Sequence, residues 1–183
     1  MLTPHTVRHS LCCVILLSLI HHVFAAEIIT MPPLNGVTAI FLKGTIERGD
    51  ANTFDRISPR KQKVLVALSS PGGVITEALT IGEKIRISGF ATTVADECIS
   101  ACGLIWLSGA RRYLNADARV GFHAAYTVLN GIPMETGMAN AEIGAFLAYL
   151  GLSREAIQFV TIAPPDGVRW LTMEDAQRLG ARP

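Results

Sequence analysis

The strongest constraint on the fold is a pair of abrupt switches from strand-like to helix-like sequence. The apolar run Val64 to Leu68 passes directly into Ser69-Ser70-Pro71-Gly72-Gly73, and Ile75, Ala78, Leu79, Gly82 and Ile85 then recur at three- and four-residue spacing up to Gly89. That pattern predicts strand, turn and helix. The second switch runs from the apolar segment Phe90 to Ala95 through Asp96-Glu97-Cys98-Ile99-Ser100-Ala101-Cys102-Gly103 into a helix-like segment with Leu104, Ile105 and Leu107. Ser100 then sits at the mouth of a helix ending near Ser108. N–H groups at such a mouth have no partner inside the helix and can face an oxyanion. The adjacent glycines of the first turn allow positive φ and close approach to a peptide N–H, so that turn can offer a second donor. Each turn also has an ordinary reading, Ser100 as an N-cap and Pro71-Gly72-Gly73 as a plain connection.

Around these switches the chain reads as one α/β domain. Val37 to Leu42 is a further buried strand, and Glu47 to Lys63 is polar with a short helix over Ala51 to Ile57. Gly109-Ala110-Arg111-Arg112 supplies the glycine and the cations expected at a helix C-terminus, followed by a connector from Tyr113 to Ala118. Arg119 to Phe122 is a short strand ending at His123. Asn140 to Leu150 and Ser153 to Ile162 read as helices joined at Gly151, Ala163-Pro164-Pro165-Asp166-Gly167 as a turn, and Thr172 to Leu179 as a last helix. Thr172 with Asp175 has the spacing of a capping box. No internal repeat or low-complexity linker interrupts the chain, and half of it is hydrophobic, which fits a buried α/β layout rather than disorder.

The N-terminus sets the chemistry that remains. Arg8 precedes the apolar run Leu11 to Ile20, and Val23-Phe24-Ala25-Ala26 comes after it, which predicts a secretory signal peptide over residues 1–25 and a domain over 26–183. The run is short for a bilayer span, so a membrane association is expected only if the segment is retained as an anchor. Four of the five histidines and two of the four cysteines fall in this segment. The exported chain keeps His123, Cys98 and Cys102, and its formal net charge drops from +1 to zero with the loss of Arg8. No basic patch survives to recommend nucleic acid or an anionic membrane as partner. A secreted or periplasmic location favours a disulfide between Cys98 and Cys102. So short a loop yields at most about 2 kcal/mol of chain-entropy stabilisation. A zinc site from Cys98, Cys102 and His123 lacks a fourth ligand, so no metal and no cofactor are expected.

A Gly-Gly turn, a Ser-bearing turn and a strand ending in the one remaining histidine are the parts of a serine hydrolase. Serine needs a base, and paired backbone donors hold the tetrahedral oxyanion. Over about Ile40 to Gly180 the sequence resembles the proteolytic subunit of the Clp protease. The segments that carry the likeness are Phe41-Leu42-Lys43-Gly44-Thr45-Ile46, Ser70-Pro71-Gly72-Gly73-Val74-Ile75-Thr76, Ile99-Ser100-Ala101, Arg119-Val120-Gly121-Phe122-His123 and Arg169-Trp170-Leu171-Thr172 through Ala176 and Gly180. The resemblance implies a ClpP/crotonase-like spiral of ββα units, Ser100 as nucleophile, His123 as general base, and the amides of Gly73 and Ala101 as oxyanion donors. The position of the family's aspartate falls near Val168, and the nearest acid is Asp166, which is taken here as third member because a turn carboxylate can fix a histidine tautomer. Asp175 and Asp117 are alternatives, and so is a simple turn role for Asp166.

The sequence departs from that family in its flanking cysteines, its export signal and a shortened segment after His123. Export separates the chain from cytosolic ATP, so no ATP-driven (AAA+) unfoldase partner is expected. The related serine-lysine signal peptide peptidases fit less well, since Lys43, Lys61, Lys63 and Lys84 all precede Ser100. Crotonase-type enzymes need acidic catalytic residues and a nucleotide pocket that the sequence does not point to. The expectation is an exported, ATP-independent serine peptidase or peptidase-like hydrolase acting on peptide or protein, with a homo-oligomer allowed. The alternative is a catalytically inactive binding or assembly module of the cell envelope that keeps the same fold.

Overall fold

A computed structural model describes residues 25–60, 62–179 and 181–182. The signal peptide expected over residues 1–25 therefore lies outside the described residues except for Ala25, as does Gly180 of the closing segment. Among the described residues no helix is long and apolar enough to cross a membrane.

The core is a mixed sheet whose strands run in the order β1 (Glu27–Leu34), β2 (Val37–Lys43), β3 (Lys63–Ser70), β4 (Ala91–Ile99), β5 (Arg111–Leu114) and β10 (Ala181–Arg182). From β2 to β10 the neighbours are parallel, and β1 folds back antiparallel on β2 as an edge. The helix α1 (Asp50–Ile57) joins β2 to β3, and α2 (Ile75–Ser88) joins β3 to β4. In β2 the residues Thr38, Ile40 and Leu42 are buried while Phe41 is 40% exposed, the period-two alternation of a sheet covered on one face. The buried face of the sheet meets α3 (Ala101–Leu107), on which α2 packs in turn, and all seven residues of α3 are buried. A helix apolar all round belongs in the interior. Its Trp106 joins Phe122, Phe54, Leu68 and Ile85 in the core.

β4 is the branching element. Its first half, Ala91 to Val94, pairs with β5, and its second half, Glu97 to Ile99, pairs instead with β6 (Arg119–Phe122). Against β3 it carries an irregularity, with Leu68 opposite Val94 but Ser70 opposite Cys98. Such bulges bend a strand and re-aim the segment beyond it. Here that segment begins at Ser100.

Several expectations are corrected. The strand expected over Phe90 to Ala95 continues to Ile99, since pairing with β6 sustains it through the polar Asp96-Glu97. Arg111 to Leu114 is a strand, where a helix end and a connector were expected, because β4 offers a parallel partner that outweighs local polarity. The capping expected of its arginines is nevertheless made across the turn, with Arg112 Nη1 donating to the carbonyls of Leu107 and Gly109 at 2.9 and 3.1 Å. The stretch after His123 forms a hairpin of β7 (Tyr126–Leu129) and β8 (Ile132–Glu135), exposed throughout. The helix α4 (Gly137–Tyr149) starts before Asn140, at a Thr136 cap, and α5 (Arg154–Thr161) comes next. The short strand β9 (Arg169–Trp170) pairs antiparallel with β6, and α6 (Met173–Arg178) opens with the capping box of Thr172 and Asp175.

Candidate active site

Four segments meet at the end of β4. Cys98 lies opposite Ser70 on β3 and opposite Val120 on β6, so the strand carrying Ser100 is flanked by the strands that lead to Gly72-Gly73 and to His123. The Ser100 amide donates to the Gly121 carbonyl at 2.8 Å, which ties the serine turn to the strand two residues before the histidine. Ser100 and His123, both half-buried, border one cavity of about 10 Å³ together with Ile75, Ala101, Phe122 and Val160. That is space for roughly one water molecule.

Ser100 is not an ordinary helix cap. Its backbone lies at φ 56 and ψ −123, and its hydroxyl accepts no bond from the helix it precedes. The amide that a capping serine would engage, Gly103 N–H, goes instead to the Ser100 carbonyl at 2.9 Å. Non-glycine residues at positive φ are uncommon, and when held outside the left-handed helical well they cluster where a site demands it. The hydroxyl is thereby left free for other chemistry.

The Gly-Gly turn packs directly on this serine. A Cβ on Gly72, which has φ 98, would lie 2.7 Å from the Ile99 carbonyl oxygen and 2.9 Å from Ser100 Cβ, so only glycine fits. Ile46 holds the turn from the other side, with its amide donating to the Gly72 carbonyl and its carbonyl accepting from Val74, both at 2.8 Å. Among the described residues, the amides of Gly72, Val74, Ser100 and Gly103 all have hydrogen-bond partners. The amides of Gly73 and Ala101 have none in that set, one on each turn beside Ser100. Unpaired backbone N–H groups beside a nucleophile are the kind of donor an oxyanion requires.

His123 Nδ1 lies 2.9 Å from the carbonyl oxygen of Ala124. A carbonyl only accepts, so in a neutral imidazole this contact favours the proton on Nδ1, the tautomer a general base needs. The Tyr126 ring stands 5.4 Å from the imidazole, tilted by 42°. Asp166 is in the expected turn, which the Ala124 amide joins to the chain through a 2.7 Å bond to the Ala163 carbonyl. The Asp166 carboxylate is exposed and makes no hydrogen bond to His123 among the described residues. Continuing the β6–β9 register by one step sets Val168 across from His123. Asp175 is engaged by the Thr172 cap, and Asp117 is exposed in a turn before β6.

Cys98 and Cys102 are joined in a disulfide with their Cα atoms 5.2 Å apart, which removes them as zinc ligands and brackets Ser100 symmetrically. Three contributors were not visible in the residue pattern. The orienting carbonyl of Ala124 is backbone and leaves no mark on the sequence. Ile46 was legible only as the residue after a strand. Gly103 lets the Phe122 ring approach α3, since a Cβ there would meet that ring at 2.3 Å. Glycine inside an apolar helix was the available signal.

No family model matches the chain, and no curated protein matches it by sequence. Solved structures do. A ClpP1 mutant from Listeria monocytogenes superposes with a TM-score of 0.58 at 19% identity, covering 78% of this chain and 86% of that one. A mutant of the 1510-N membrane-bound stomatin-specific protease gives 0.59 at 19% identity, covering 79% of this chain and 75% of that one. With strand order, branching β4 and the helix-mouth serine as described, the protein has a ClpP-like fold.

Proposed function

We propose that the protein is an exported, ATP-independent serine peptidase or peptidase-like hydrolase. One observation carries this reading: Ser100 and His123 border the same cavity beside the unspent amides of Gly73 and Ala101. In the reaction, Ser100 Oγ attacks the substrate carbonyl carbon as its proton passes to His123 Nε2. The carbonyl oxygen becomes an oxyanion held by the two amides. The imidazolium then protonates the leaving amine or alcohol. Water, deprotonated by the same nitrogen, attacks the acyl carbon, and the proton passes back to Ser100 Oγ as the carboxylic acid leaves.

The Ala124 carbonyl supports a Ser-His dyad in which the peptide backbone sets the tautomer. A neutral carbonyl offsets the imidazolium charge less than a carboxylate does, so turnover should be slow for this class of site. Peptide or protein is the substrate class in keeping with the fold, with no AAA+ unfoldase as partner. Apolar residues exposed on the hairpin, Val128, Leu129 and Ile132 among them, suit a homo-oligomer. A periplasmic or secreted location is inferred from the N-terminal pattern and is in keeping with the disulfide.

Val168 opposite His123 and the exposed Asp166 favour the second reading, an inactive envelope module with this fold. A fluorophosphonate probe separates the two. Labelling of the wild type at pH 7–9 is expected, with complete loss in Ser100→Ala. Loss of about a thousandfold is expected in His123→Ala, while Asp166→Asn should label within about threefold of wild type. A folded wild type that never labels establishes the second reading.

A further inference from the structure

The backbone of Ser100 raises a question of support. A non-glycine residue at φ 56 and ψ −123 lies outside the favoured wells. Such conformations cost on the order of 1–3 kcal/mol and persist only where their surroundings over-determine them. Two hydrogen bonds act on this residue, one to Gly121 and one from Gly103. The bond from Gly103 closes only the turn after Ser100, and neither bond ties that turn back to Cys98 on β4. A segment of four extended steps would separate the Cα atoms of residues 98 and 102 by roughly 13 Å. The disulfide holds them at 5.2 Å.

The position of the bridge is equally telling. Cys98 is the residue of β4 that faces both Ser70 and Val120, two residues before Gly72 and three before His123. Cys102 lies in the first turn of α3, next to Ala101. The bridge therefore fastens the helix that presents Ser100 and the Ala101 amide to the strand position against which the oxyanion turn and the base strand are both aligned. Both cysteines are fully buried, in a core that Trp106, Leu104 and Phe122 fill independently of the bond. Free thiols pack as small apolar groups, so the core can keep its form without the bond.

We propose that the Cys98–Cys102 disulfide is the positioning element of the nucleophile turn, and that its reduction disarms Ser100 while the domain stays folded. The inference rests on the reading of Ser100 as nucleophile. Reduction by a dithiol adds two electrons and two protons to the bridge, leaving two thiols, while the dithiol closes to its own disulfide. Activity is thereby tied to an oxidising compartment.

The test compares purified oxidised protein, protein reduced with dithiothreitol and verified by thiol titration, the same sample reoxidised, and the double variant Cys98→Val/Cys102→Ala. Each is scored for fluorophosphonate labelling rate, for kcat and KM on a small activated ester, and for cooperative melting. Labelling and kcat should fall about 10- to 100-fold on reduction and in the double variant, the usual scale for displacing a reacting atom by an ångström. KM should stay within about twofold, and reoxidation should restore the wild type alone. Equal labelling of the oxidised and reduced forms overturns this inference and leaves the hydrolase reading intact. A double variant that loses cooperative melting along with labelling assigns the bridge to the fold as a whole and also overturns it. Oxidised protein that does not label removes the nucleophile reading itself, and the positioning role with it.

Discussion

Among the described residues two serines open helices, and they do unlike work. Ser153 stands before α5 with φ −70 and ψ 163, its hydroxyl accepting from the Ala156 amide at 3.3 Å. Ser100 stands before α3 with φ 56 and ψ −123, its hydroxyl unspent, its helix wholly buried and its neighbours joined by a disulfide. Ser153 satisfies an orphan donor and asks nothing further of the chain. Ser100 leaves the helix mouth open and depends on a glycine turn, a strand carbonyl and a covalent bridge to stay there. A serine at a helix start is thus assigned by what its hydroxyl and backbone do, and residue type alone cannot separate the two roles.

The comparison breaks most sharply at Gly72. An alanine there must adopt φ 98 and drive its methyl into the Ile99 carbonyl and Ser100 Cβ. Gly72→Ala should lower the fluorophosphonate labelling rate at least about 100-fold through displacement of Ser100. It should also destabilise the fold by roughly 2–4 kcal/mol through backbone strain and overpacking. Denaturant melts and labelling kinetics on the same preparation check both. A variant that labels at the wild-type rate would separate the glycine turn from the serine.

Much of this arrangement was legible in the residues. Both strand-to-helix switches, the strand ending at His123 and the capping box at Thr172 lie where hydrophobic period and turn chemistry put them. The features that stayed hidden have a common cause, dependence on partners remote in the chain. The strand Arg111 to Leu114 carries two arginines and becomes a strand only because β4 has an unpaired edge beside it. The hairpin of residues 126 to 135 has no core-facing side, so its apolar residues mark no buried face. The His123 ring meets a backbone carbonyl, a group that every residue possesses. Asp166 was the natural choice for that task from sequence, since only side chains can be read there.

Strain at Ser100 gives a second way to sharpen the contrast. Ser100→Ala removes the hydroxyl but keeps a Cβ at φ 56, whereas Ser100→Gly removes both. Both are expected to be inactive. Ser100→Gly should nevertheless be the more stable of the two by about 1 kcal/mol, measured by urea unfolding, since glycine adopts positive φ without steric cost. Equal stability of the two would show that the turn is relaxed. At Ser153 the same logic predicts an ordinary result. Ser153→Ala should cost about 1 kcal/mol, the usual worth of an N-cap, with labelling of Ser100 unchanged.

The smallest effect expected belongs to the same cap. Glu155, in the first turn of α5, has its carboxyl held below the usual value of 4.5 by its own backbone amide first, then by a bond from Ser153 and the charge of Arg154. A carboxyl depressed in the folded state contributes stability that is present above its unfolded pKa and disappears as pH falls through its folded one. The group is fully exposed, so solvent and salt screen most of this contribution. Glu155→Gln should therefore lower the melting temperature slightly at pH 7, and the gap between variant and wild type should close as pH falls through the depressed carboxylate range. If the gap persists at low pH, the cap acts through packing rather than charge. Should it appear only in protein that still carries Ser153, the hydroxyl and the carboxylate form one unit, the kind of self-contained helix start that Ser100 forgoes.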